Sequence, residues 1–298
     1  MVHRRSVVLN GDLGSGKTTV SMLLAARLGI RRISVGDLYR AMAAQRGMTA
    51  LELNLHAELD DKIDHYVDQL QGDIAASGEQ LIVDSRLAWY FFTDAVKVHL
   101  ITEPTVAAQR VLRRPADTVE SYDSVEQARS RLAIRSESER IRYITRYGAD
   151  KTRLRNYDLV CDSTSATPEQ IIEQIVERLR ESPAAVSRPS CFIDPKRIYP
   201  TADDQTSEDL DVQEPIAVGY SAPHFFAVDG HRQLSSAIRA GRTLIAATLA
   251  AEGGEEIAGL TCDRYLTAHA TPTRIRAWEE SHHIELPRPS PPTPSSSI

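Results

Sequence analysis

Gly11-Asp12-Leu13-Gly14-Ser15-Gly16-Lys17-Thr18 fits the spacing G-x-x-x-x-G-K-[ST]. The chemistry of such a loop is anion binding. Glycines let the backbone close around a phosphate without Cβ clashes, while the loop N–H groups and the positive end of a following helix face the charge. Lys17 can then reach the β- and γ-phosphates of a nucleoside triphosphate, with Gly11, Gly14, Ser15, Gly16, Thr18 and Thr19 lining the donor. The Thr18 hydroxyl can hold Mg²⁺, and so can Asp84, which ends the apolar run Gln80-Leu81-Ile82-Val83-Asp84. ATP and Mg²⁺ are therefore the expected cofactors. Arginine crowds the stretch from Arg110 to Arg155. Much of that is a solvated helix face, but transfer of a phosphoryl group needs cations, and the arginine fork suits phosphate. Arg135, Glu139 and Arg142 stand at i, i+4 and i+7, so they share one helix face and could grip a phosphate and a base edge together.

These residues need a scaffold that brings the ends of parallel strands together. Ser6–Asn10 reads as a short buried strand before the loop and Thr19–Leu28 as a helix after it. Arg32–Val35, Gln80–Asp84, Ala95–Ile101 and Tyr157–Asp162 are further strands, and Thr167-Pro168-Glu169-Gln170 opens a helix running to about Arg180. Strands alternating with helices predict an α/β fold, a parallel sheet covered on both faces. A Pro-, Ala- and Ser-rich linker over 183–190 separates residues 1–182 from a smaller second domain over 191–286, and 287–298 reads as a disordered tail.

The 298 residues suit two domains, and 42% hydrophobic with 26% charged residues is ordinary for a globular protein. A net charge of −6 argues against general nucleic-acid binding. No run suits a membrane helix, the start leaves no room for a signal peptide, and Cys161, Cys191 and Cys262 form no C-x-x-C pair. A cytoplasmic location is expected.

Gly11–Thr18, Ile33-Ser34-Val35-Gly36-Asp37-Leu38-Tyr39-Arg40, Asp84-Ser85-Arg86-Leu87-Ala88-Trp89, Arg142-Tyr143, Tyr147-Gly148-Ala149-Asp150 and Tyr157-Asp158-Leu159-Val160 together resemble the cytidylate kinases, the archaeal-type branch most of all. The resemblance covers about the first 180 residues. It implies a core, a monophosphate-binding region and an arginine-bearing lid, with γ-phosphoryl transfer from ATP to CMP, dCMP or a modified relative. It further implies that Ser34, Asp37, Arg40 and Arg86 contact the acceptor nucleotide, that Arg135, Glu139 and Arg142 grip its phosphate and cytosine edge, and that Arg110 opens the lid. Lys17, Arg110, Arg135 and Arg142 would carry the catalysis. Two positions depart from the pattern. Val35 stands where the family places Ser or Thr, and Arg135-Ser136 where it has Arg-Glu, which keeps modified pyrimidine nucleotides among the expected acceptors.

In the second domain, Cys191–Ile193, a hairpin of Glu214–Tyr220 with His224–Asp229, a helix Gln233–Ala240 and a strand Thr243–Ala250 are expected. This series resembles the ParB/sulfiredoxin-like domain, a small α+β fold, and the resemblance implies a phosphate site at Asp229, Gly230, His231 and Arg232. The cysteine of a sulfiredoxin is absent from that turn. The glutamate of a free-serine kinase is absent after Ile198-Tyr199-Pro200, with Asp203 or Asp204 as a substitute. His282-His283 has no third ligand nearby and reads as a surface pair. Two rivals remain: a kinase of a non-nucleotide small molecule that uses the second domain, and a nucleotide-binding regulator with slow ATPase activity.

Overall fold

The computed structural model describes residues 5–48, 62–113, 122–181, 189–203 and 214–287. The chain divides into two compact units, Met1–Val186 and Ser187–Ile298. Most of the expected linker, all but the first residue of the expected tail, Arg114 and Asp204 lie outside the described residues. Among the described residues no helix is long and apolar enough to cross a membrane.

The first unit is built on five parallel strands: β1 (Val7–Gly11), β2 (Arg32–Ser34), β3 (Ile82–Asp84), β4 (Val96–Ile101) and β5 (Leu159–Asp162). They lie in the order β2-β3-β1-β4-β5. Val7, Val8, Leu9, Ile82, Val98, Leu100 and Leu159 are all buried, as runs covered on both faces must be. Helices α1 (Lys17–Leu28), α2 (Val35–Gln45), α3 (Lys62–Ala76), α4 (Ala88–Phe91), α5 (Pro104–Leu112), α6 (Val125–Tyr147) and α7 (Pro168–Arg180) connect the strands. Sequence explains where several of them start and stop. Pro168 opens α7 behind a capping box of Thr167 and Gln170. Gly148, left-handed at φ 64°, closes α6, and its N–H and that of Ala149 return to Ile144 and Tyr143.

The expected strand Arg32–Val35 stops one residue early. Ser34 caps α2 by accepting the Asp37 N–H at 3.2 Å, so Val35 is the first helical residue, not a strand end. Two hydrophobic clusters matter for the site. One packs Val8, Val83, Ala88 and Phe92 beneath the strand ends. The other joins α5 to the first half of α6 through Ala107, Ala108, Val111, Ala128 and Leu132, with Leu13 of the phosphate loop against it.

The second unit carries β6 (Ser190–Ile193), β7 (Ile198–Tyr199), β8 (Ile216–Ser221), β9 (His224–Asp229) and β10 (Ile245–Glu252) in the order β6-β10-β8-β9-β7, plus a small hairpin of β11 (Glu256–Ile257) and β12 (Leu260–Thr261). Strands β8 and β9 form an antiparallel hairpin, and β10 returns parallel to β8. Helices α8 (His231–Arg239), α9 (Cys262–His269) and α10 (Pro272–His282) complete it.

Candidate active site

Strand β1 delivers the chain into the loop at Gly11. Gly14 and Gly16 are left-handed, at φ 84° and 79°, and a Cβ on Gly14 would stand 2.8 Å from the Ala107 carbonyl oxygen. No side chain caps α1, whose N-cap is Gly16, so its first N–H groups are presented to a ligand. The Ser15 hydroxyl is buried and has no hydrogen-bond partner, which in a native site calls for a ligand or water.

Thr18 and Thr19 stand in the first turn of α1, behind Lys17. Lys17 Nζ rests 3.2 Å from Asp84 Oδ1, while Arg32 Nη2 donates to Asp84 Oδ2 at 2.9 Å. Arg32 also donates to Ser21 at 2.7 Å and to Asp37 at 3.2 Å. Burial pulls the Lys17 pKa below its ordinary value, and the Asp84 carboxylate opposes that shift. Thr18 and Asp84 offer oxygen donors alone, the type that suits a hard cation such as Mg²⁺. Asp84 is 4% exposed, so a cation there would be shielded from bulk water.

The second cluster gathers around Glu139, on the buried face of α6. Arg86, just after β3, donates to Glu139 Oε1, and Arg135 Nε lies 3.4 Å from the same oxygen. Lys151 Nζ reaches Glu139 Oε2 at 2.9 Å. Glu139 and Lys151 are each 8% exposed. Burial and then the Arg86 charge draw the Lys151 pKa down to about 7. Arg86 thus joins Arg135 and Glu139, which helical spacing already sets on one face. Lys151 joins them without any sequence signal, as one cation in a charge-rich turn after Gly148.

Between the two clusters lies a polar floor. Asn10, the residue before Gly11, donates to the Tyr157 hydroxyl and sits 3.1 Å from His99 Nδ1. His99 stacks on Tyr157 at 4.5 Å, and the Tyr157 hydroxyl donates to the Lys151 carbonyl at 2.7 Å. Burial holds His99 neutral, its pKa pushed down to about 3, and lifts the Tyr157 phenol well above its usual value. No sequence signal marks this floor, because Asn10 is in β1, His99 in β4 and Tyr157 just before β5, and no period links them.

Other expected residues take different places. Ser34 spends its lone pair on capping α2, and Arg40 is in α2 with its side chain outside the described residues. Arg142 lies along Tyr143, its guanidinium 5.7 Å from the ring centroid. Arg110 is tied to the end of β5, donating to Ser163 O at 2.6 Å and Thr164 O at 3.3 Å. In the second unit the Gly230 N–H is taken by the Asp229 carboxylate at 2.7 Å. His231 Nε2 accepts the Thr201 and Ala202 N–H groups, each at 3.1 Å, so that ring clamps a turn of its own unit. Arg232 is exposed in the first turn of α8, and Asp203 is held by Arg274 at 2.8 Å. His282 is not a surface residue. It is buried against Trp278 and bonded to Ser235 at 2.8 Å, because α10 turns it inward. Among the described residues no group of His, Cys, Asp and Glu is arranged to hold a metal.

The AAA domain family model AAA_18 matches residues 7–140. A cytidylate kinase of Methanobrevibacter smithii is 37% identical over 174 residues, 58% of this chain and 98% of that one. Those of Archaeoglobus fulgidus and Methanothermobacter thermautotrophicus are 34% and 38% identical, covering 92% and 94% of their own lengths. Identity of 34–38% across nearly the whole length of these relatives places the chain in the cytidylate kinase family, as a nucleoside monophosphate kinase.

Proposed function

We propose that this chain transfers the γ-phosphoryl group of ATP to a cytidylate: CMP, dCMP or a modified relative. The observation that carries the reading is the cluster at Glu139. Arg86, Arg135 and Lys151 meet one buried carboxylate, which leaves the group net positive and suits a phosphate dianion. Lys17 and the loop amides hold the donor. Arg86 and Arg135 hold the acceptor phosphate, and Glu139 accepts from the amino edge of a cytosine, with Arg142, Asp37 and Arg40 completing the acceptor side. Positioning and charge neutralisation dominate this reaction, so no general base is needed. Mg²⁺, held by Thr18 and Asp84, would supply charge neutralisation on the donor phosphates. As Lys17 turns to those phosphates it releases Asp84 Oδ1 for that role.

The second unit is proposed as a ParB/sulfiredoxin-like domain. Support comes from its β8–β9 hairpin, followed by α8 and the parallel return of β10. Its phosphate site would use the first-turn backbone of α8 and Arg232.

The test is ADP release from Mg·ATP with CMP, dCMP, UMP, 5-substituted cytidylates and free serine, with Lys17→Ala as control. Fast turnover on a cytidylate, abolished by the substitution, is expected. Turnover indifferent to every nucleotide would overturn the reading.

A further inference from the structure

One counter-charge would satisfy Glu139, yet Arg86, Arg135 and Lys151 all face its carboxylate. Arg86 and Arg135 share Oε1, so Lys151 has Oε2 to itself at 2.9 Å. A lysine with 8% of its surface exposed is costly to keep charged, and the arginines already neutralise the glutamate. Its backbone is anchored from the donor side, through the Tyr157 hydroxyl to Asn10 at the foot of the phosphate loop. Its ammonium points to the acceptor side. While it contacts Glu139, its charge is also felt at Lys17 and at His99, with Asp12 and Glu137 in its own field.

We propose that Lys151 contacts substrate: its ammonium leaves Glu139 Oε2 for an oxygen of the acceptor phosphate, on the side from which the donor's γ-phosphoryl group arrives. This rests on the nucleoside monophosphate kinase reading. No bond forms to the lysine and no proton leaves it. Its charge offsets the negative charge brought together when two phosphates approach, as electrostatic catalysis of phosphoryl transfer requires. An arriving dianion also strengthens the hold on the lysine proton, which burial and Arg86 have loosened.

The test compares CMP with cytidine, which lacks the phosphate, as ligands of wild type, Lys151→Met and Lys151→Arg. Binding is measured by calorimetry for CMP and by competitive inhibition for cytidine. Lys151→Met should weaken CMP about 10- to 100-fold, the range of a hydrogen bond to a charged group, and lower kcat. Cytidine should bind within about twofold of wild type, and Lys151→Arg should recover part of the CMP affinity. Should the methionine variant fail to fold, Lys151→Gln carries the same comparison. CMP and cytidine weakening together would show that Lys151 acts only by holding Glu139, and an unchanged CMP affinity would likewise overturn the proposal. A wild-type protein that binds no monophosphate would remove the kinase reading beneath it, an outcome distinct from either.

Discussion

Glu139→Gln keeps the volume of the side chain and deletes the charge that lets Arg86, Arg135 and Lys151 stand together. Glu139 and Lys151 are almost wholly buried, so solvent screens their attraction little. Removing one partner of a buried pair costs about 3–5 kcal/mol. Two features pull the expected value to the lower end. The amide oxygen still accepts one hydrogen bond, and Lys151, with its pKa near 7, can shed its proton instead of staying charged without a partner. A loss of about 3 kcal/mol corresponds to a Tm drop of about 6–12 °C for a unit of this size. The chain supplies its own reporters, since Trp89 is buried in the first unit and Trp278 in the second. In a Trp278→Phe background, Trp89 emission follows the first unit alone. Inorganic phosphate should stabilise the glutamine variant more than its parent, because Arg86 and Arg135 lose the carboxylate they face and a bound anion can take its place. Melting within 2 °C of the parent, with equal stabilisation of both by phosphate, would refute the view that Glu139 holds this cluster.

The polar floor gives a pH prediction. His99 is neutral in the fold down to about pH 3, while an unfolded histidine protonates near 6.5, so the unfolded chain binds the extra proton between these values. Stability from this group is complete above about pH 6.5 and is lost as the pH falls toward 3, at up to about 1.4 kcal/mol per pH unit. His99→Gln should flatten that acid limb in denaturant midpoints, and an unchanged limb would show that other groups set it. Asp84→Asn takes the partner from Lys17 and Arg32 and should raise the Mg²⁺ concentration for half-maximal turnover about 10- to 100-fold. Gly230→Ala forces a side chain into φ 86° with its Cβ 2.5 Å from Ile216 Cγ2. It should cost about 2 kcal/mol or more, read from the Trp278 emission in thermal melts.

What could be read from sequence is what local rules write. The phosphate loop sits between a Val-rich strand and an Ala- and Leu-rich helix, so its context is visible between Ser6 and Leu28. Asp84 ends an apolar run and therefore stands at a strand end. Glu139 and Arg135 are one helical turn apart, and their pairing follows from that spacing. Asn10, His99 and Tyr157 meet only because β1, β4 and β5 are neighbours in the sheet, and sheet order is not written in any one stretch. Lys151 follows a helix-ending glycine, where no period remains to assign it a face. Val35, β-branched and next to Ser34 and Ile33, reads as part of the strand, yet the Ser34 cap places it in α2. The lack of a third ligand near His282-His283 makes the pair read as a surface one, while the helix that carries His282 turns its ring onto Trp278.

The contact between the phosphate loop and α5 has a mechanical side. Gly14 lies so close to Ala107 that no side chain fits between them, and Leu13 packs into the cluster that fastens α5 to α6. Helix α6 carries Arg135 and Glu139, so the helix proposed to hold the acceptor is fastened to the loop proposed to hold the donor. A shift of α6 by a fraction of an ångström would press on the loop directly, since packed interiors transmit strain instead of absorbing it. Volume changes at Ala107 or Leu132 should therefore alter the affinities for both nucleotides together, although neither side chain belongs to the binding groups around Lys17 or Glu139.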